Sequence, residues 1–240
     1  MPAKEPPPGD GPQPQLPDTG RLEAFSDGVF AIVVTLLVLE LNEPEHSPGQ
    51  LLAGLIRQWP AYLGYFASFA YVAVIWLNHN QMFFGVQRVN RGVHFANLTL
   101  LFTTALIPFP TAVLSRAFIA GINGADARTA VGLYAGISTA MCASWLLLYD
   151  QVHRHRDHLL GEAVDREKFG AERARAIIGI VAYTAAGIIG ALWLPLAALV
   201  VFVALPVFYG LTSEGLDVVR RKRRTRRRPD HTSPTGQQRD

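Results

Sequence analysis

The sequence predicts an all-α integral membrane protein with six transmembrane helices, and three observations carry that prediction. Charged residues make up only 17% of the 240 residues, against about 25% in ordinary soluble domains. The charges are also unevenly placed. Residues 61–83, 93–115, 129–149 and 176–213 contain none, whereas eight of the 22 Lys and Arg residues fall between Arg220 and Arg228. No soluble fold needs four uncharged runs of that length. Finally, Cys142 is the sole cysteine, which excludes a disulfide framework and a cysteine-built zinc site.

Residues 1–20 hold seven prolines and too little apolar surface to offset the entropy of ordering, so they are expected to form a disordered tail. The apolar run that follows keeps Asp27 and Glu40 and has no small-residue cleavage site, so it reads as a mature helix and not a signal peptide. A bilayer core about 30 Å thick needs roughly 20 apolar residues per helix. Six segments meet this, at about 21–41, 61–83, 93–116, 128–149, 174–194 and 196–217. The last two share one apolar stretch, divided at Leu192-Trp193-Leu194-Pro195 because proline starts helices and breaks interiors. Pro108 and Pro110 are expected to kink the third span, and Pro206 the sixth. Residues 21–219 thus form the membrane domain, flanked by tails at 1–20 and 220–240.

Basic residues favour the cytoplasmic side. Six spans put both termini together, and the Arg220–Arg228 cluster places them in the cytoplasm. Arg88 and Arg91 then fall inside, as do Arg154, Arg156, Arg166, Lys168, Arg173 and Arg175, while the outer loops keep Arg57, Arg116 and Arg128. Five spans would put the basic tail outside, so charge supports six. No aromatic residues interleave with the tail, so contact with anionic lipid is the expectation and no nucleic-acid partner is expected.

The first helix carries the most information. On a helical wheel with Ile32 at the origin, Gly28, Thr35, Leu36 and Leu39 all lie within about 60°. Ser26 and Asp27 lie about 120° and 140° away, on the opposite half. An ionisable Asp inside the bilayer requires partners. Trp76 and His79 on the second span and Asn97 on the third are expected at a similar depth, with Arg21 close by. An indole, an imidazole and an amide would satisfy Asp27 well. That constellation reads either as a clasp fixing helix packing or as an Asp–His proton relay. The Ile32–Leu36–Leu39 stripe then faces either lipid or a symmetry axis shared by several copies.

Arg21-x-x-x-Phe25-Ser26-Asp27, followed by Gly-Val-Phe-Ala-Ile and Thr35-Leu36-Leu37-x-Leu39-Glu40-Leu41, resembles the prokaryotic transmembrane protein 175 family of potassium channels. Trp76-x-x-His79, Asn97 and Pro108-Phe109-Pro110-Thr111 are similar to that family as well. The resemblance covers residues 21–217. It implies a homotetramer of single six-helix repeats in the bacterial cell membrane, with the first helices surrounding the pore. By motif position, Ile32, Leu36 and Leu39 would form stacked apolar constrictions and Thr35 would offer hydroxyls to the permeating ion. Arg21, Ser26, Asp27, Trp76, His79 and Asn97 would form the polar network holding the pore helix. No Thr-Val-Gly-Tyr-Gly filter sequence is present. The expected function is a potassium-preferring cation channel, non-enzymatic, without a cofactor and with potassium as permeant.

An apolar ring too narrow for water imposes a desolvation barrier, and potassium, less strongly hydrated than sodium, should cross it more easily. Glu40, Glu43 and Glu45 at the external end would concentrate cations, unless they are merely solvated loop charges. The alternative function is a proton-coupled secondary transporter using Asp27 and His79. His153-x-His155-x-Asp157-His158 spells a metallohydrolase ligand pattern, but it follows a membrane helix and only His231 remains downstream as a histidine. It reads as chance histidines in a basic loop. Gly132-x-x-x-Gly136 on the fourth span allows close helix approach.

Overall fold

The computed structural model describes residues 19–84, 86, 88–155 and 166–212, and every regular element among them is helical. The two expected tails lie outside the described residues except for Thr19 and Gly20, as do residues 213–217 of the sixth expected span. Helix α1 (Gly20–Leu37) continues as a 3-10 turn over Val38–Glu40. A short α2 (Leu51–Arg57) precedes α3 (Trp59–Phe84). Then come α4 (Arg91–Ala105), α5 (Pro108–Ala120), α6 (Ala125–Arg154), α7 (Arg166–Leu192) and α8 (Pro195–Thr212).

Among the described residues, five helical units are long and apolar enough to cross a bilayer: Gly20–Glu40, Trp59–Phe84, Arg91–Ala120, Ala125–Arg154 and Glu172–Leu192. A sixth, Pro195–Leu211, is apolar but shorter. The third unit is a broken helix. The expected kink is a full interruption at Leu106–Ile107, after which Pro108 opens α5 at the helix start, where its missing N–H is no loss. The same chemistry separates α7 from α8, because Pro195 begins a new helix after Trp193 and Leu194. Helix α2 had no counterpart in the six-span reading, since seven residues are too few to show a period.

Helix α6 is the hub, packing on α4, α5, α7 and α8. Tyr134 of α6 stacks on Phe202 of α8 with ring centroids 4.6 Å apart, and Tyr183 of α7 completes that aromatic cluster. Helix α1 sits at the edge, packing chiefly on α3 and α4 and touching α5. Several hydroxyls inside the bundle find partners in their own helix or the next one. Thr104, Thr111 and Ser115 donate to carbonyls four residues back, and Ser68 meets Thr111 at 2.7 Å across α3 and α5.

Small residues do bring α6 and α7 together, but they are not the pair the spacing picked out. A Cβ placed on Gly132 or Gly136 would find nothing within 4 Å, whereas one on Gly187 would strike Ala135. One on Gly190 would lie 2.6 Å from both Ala198 Cβ and Val131 Cγ1. Gly190→Val is therefore expected to lower stability by about 1–3 kcal/mol through overpacking. Gly132→Val should stay within about 0.5 kcal/mol. Thermal unfolding in detergent, followed by tryptophan fluorescence, separates the two; equal midpoints would refute this packing.

Candidate functional site

Helix α1 has one face built for the protein and one that its own subunit leaves bare. Leu22, Ser26, Phe30, Val33 and Leu37 recur at helical spacing and are buried against α3 and α4. Ser26 is fully buried and donates its hydroxyl hydrogen to the Leu22 carbonyl at 2.8 Å. Its oxygen accepts from Asn97 Nδ2 at 3.0 Å. Asn97, also fully buried, turns its Oδ1 to His79 Nε2 at 2.8 Å. Because the amide nitrogen is already committed to Ser26, Nε2 must carry the proton and donate. Three helices are thereby tied by one unbranched chain, His79 of α3 to Asn97 of α4 to Ser26 of α1.

The rest of the His79 ring is enclosed by aromatics. Phe30 meets it edge-on at 5.2 Å, Phe83 lies at 4.6 Å and Trp145 at 6.5 Å. This sheath was not foreseen from the sequence. The only available signal was the recurrence of large aromatics on α1, α3 and α6, which looks the same in any core.

Asp27 follows a separate arrangement. One residue beyond Ser26, it turns about 100° to the lip of the α1–α3 contact. There it accepts from Trp76 Nε1 at 2.8 Å. Both residues are exposed, beside a shallow apolar groove formed with Phe30, Ala31, Val34 and Ala73. The expected constellation thus divides in two. Asp27 receives the indole but neither the imidazole nor the amide, which satisfy each other and Ser26. Arg21 is exposed and takes part in neither group among the described residues.

The opposite face of α1 is bare. Ile32 is 60% exposed, Leu36 42% and Leu39 68%, and Thr35 is exposed between them. Gly28, on the same side, has open space where a Cβ would stand. The Thr35 hydroxyl donates back to the Ile32 and Ala31 carbonyls at 2.8 and 3.1 Å, leaving its lone pairs free. Glu40, at the end of this face, is not a lone carboxylate: Arg116 Nη2 of α5 lies 3.8 Å from its Oε2. Sequence reading placed Arg116 in an outer loop but had no signal for its partner.

His153 lies in the last turn of α6, and His155, which caps that helix, bonds back to the Gln151 carbonyl at 3.1 Å. Asp157 and His158 lie outside the described residues. No group of three His, Cys, Asp or Glu side chains among the described residues is placed to hold a metal ion.

Residues 21–108 match the family model described as Endosomal/lysosomal potassium channel TMEM175. That segment contains the whole Ser26–Asp27–Trp76–His79–Asn97 arrangement. The chain is 38% identical over 164 residues to the potassium channel Cha6605_3372 of Chamaesiphon minutus, covering 66% of this chain and 77% of that one. It is 37% identical over 167 residues to the potassium channel B446_29190 of Streptomyces collinus, covering 69% and 79%. The fold matches the crystal structure of a lysosomal potassium-selective channel TMEM175 homolog from Chamaesiphon minutus, with a TM-score of 0.69 and 33% identity. That match covers 80% of this chain and 96% of the other. With its apolar helical units and this extent of likeness, the chain is a multi-pass membrane protein and belongs to the TMEM175 family, a family of ion channels and not of enzymes.

Proposed function

We propose that this protein is a potassium-preferring cation channel in which several copies, four by the family resemblance, gather their α1 helices around a common axis. The observation that carries the reading is the bare Ile32–Thr35–Leu36–Leu39 face on a helix whose other face is bonded and packed inside its own subunit. The names of the two bacterial relatives support the permeant ion. In this reading Ile32, Leu36 and Leu39 form stacked apolar rings, and Thr35 supplies oxygen lone pairs between them. An ion crossing such a ring must shed water that few polar groups replace, so passage depends on ring diameter and hydration. Selectivity should accordingly be modest. No cofactor takes part.

The Ser26–Asn97–His79 chain and the Asp27–Trp76 pair serve as supports that fix the azimuth of α1. Arg21 stands at the inner end of the same helix. Both termini are cytoplasmic, by the distribution of Arg and Lys along the chain. The membrane domain runs from 21 to 219, and the basic 220–240 tail contacts anionic lipid. Each partner of the proposed Asp27–His79 relay is committed elsewhere, to Trp76 and to Asn97, so the transporter reading lacks a direct proton link.

The test is ion flux into vesicles containing the purified full chain. Potassium flux should exceed sodium flux and persist in Asp27→Asn. Saturable uptake that moves protons and disappears in Asp27→Asn would favour the transporter, and vesicles tight to both ions would sink the channel.

A further inference from the structure

Glu40 follows Leu39 directly, in the 3-10 turn that prolongs α1, and α5 packs against that turn. Arg116 of α5 holds its guanidinium 3.8 Å from the Glu40 carboxylate. The pair is lopsided, with the Glu40 side chain 26% exposed and that of Arg116 71% exposed. Of the two other acids in the connection that follows, Glu43 stands 3.9 Å from His46, and Glu45 lies two residues further along.

We infer that Arg116 sets the electrostatic potential of the external pore mouth by neutralising Glu40, and so restrains cation entry from that side. The inference rests on the pore and orientation proposed above. A carboxylate alone at the end of each pore helix would form an anionic ring, and such rings raise the local cation concentration. A carboxylate paired with a guanidinium acts at a distance as a dipole, whose field decays faster than that of a single charge. The charge of Glu40, the acid nearest the pore helix, is therefore largely cancelled at a distance. Arg116 is the outward member of the pair, so replacing it uncovers Glu40 without opening the core.

The reach of the uncovered charge depends on salt, about 30 Å at 0.01 M but only about 3 Å at 1 M. That gives the inference a signature which a structural defect would not share. Currents of the full chain in planar bilayers are compared for wild type, Arg116→Gln, Glu40→Gln and the double variant. At about 10 mM KCl, Arg116→Gln should raise current entering from the Glu40 side roughly two- to four-fold. At 1 M the gain should vanish, because the charge is screened within about 3 Å. Glu40→Gln, which leaves Arg116 unopposed, should lower the same current, and the double variant should return close to wild type. An Arg116→Gln current equal to wild type at low salt would overturn the inference. So would a gain that survives at 1 M, or a double variant whose current matches that of Arg116→Gln and not that of wild type. Wild-type bilayers without potassium current would instead overturn the pore reading, and the inference with it.

Discussion

Leu36→Asn is expected to raise potassium flux about tenfold, the change produced by lowering the barrier by about 1.4 kcal/mol. Leu36 is 42% exposed within its own subunit, so an amide there disturbs little intrasubunit packing. If the residue lines the axis, each subunit adds a donor and an acceptor to a ring that otherwise offers none. Water is held more readily, and the ion gives up less of its hydration at the narrowest point. If the residue faces lipid, the same change adds only a polar group to a lipid-facing surface and leaves flux alone. Ile178→Asn provides the comparison, since Ile178 is 49% exposed on α7, away from the proposed axis. Vesicle flux should rise for Leu36→Asn and stay at the wild-type rate for Ile178→Asn. Equal rates in all three proteins would remove Leu36 from the constriction.

Asn97→Leu is expected to destabilise the subunit by about 2–3 kcal/mol. Two hydrogen bonds disappear, and side-chain hydrogen bonds within membranes average only about 0.6 kcal/mol each. The larger part comes from what is left behind. His79 loses its hydrogen-bonding partner inside an enclosure of Phe30, Phe83 and Trp145, and an unsatisfied buried donor costs about 1–3 kcal/mol. Ser26 suffers less, because its hydroxyl hydrogen remains with Leu22. The pairing makes a second expectation. His79→Phe combined with Asn97→Leu removes both polar partners and should recover much of the loss. Thermal unfolding in detergent measures both. A single variant within 0.5 kcal/mol of wild type, on the ~0.5 kcal/mol scale of a neutral surface change, would show that this chain does not secure α1.

Much of the architecture was legible one residue at a time. Uncharged runs located the apolar units, and Pro108 and Pro195 marked the helix starts after which the third and last units resume. The two faces of α1 followed from the spacing of Ile32, Leu36 and Leu39 against Ser26. The same reading went astray where a partner had to be chosen. It grouped Ser26, Asp27, Trp76, His79 and Asn97 by depth, which was a sound guide to neighbourhood. Depth does not reveal azimuth. Trp76 and His79 are three residues apart, so their directions on α3 differ by about 60°, enough to send one to Asp27 and the other to Asn97. The small-residue spacing at Gly132 and Gly136 likewise marked the correct helix while the contacts fell to Ala135 and Val131 on its next face.

The sequence by itself determined the helical class, the set of apolar units and the bare face of α1, because hydropathy is a relation between each residue and its solvent. Only the tertiary structure decided that Asn97 bridges Ser26 and His79, that Asp27 keeps Trp76 alone and that Glu40 is held by Arg116. Those choices turn on separations of about 3–4 Å between groups distant in the chain, Ser26 and Asn97 being 71 residues apart. At that scale the rotation of one packed helix against another determines which side chains meet.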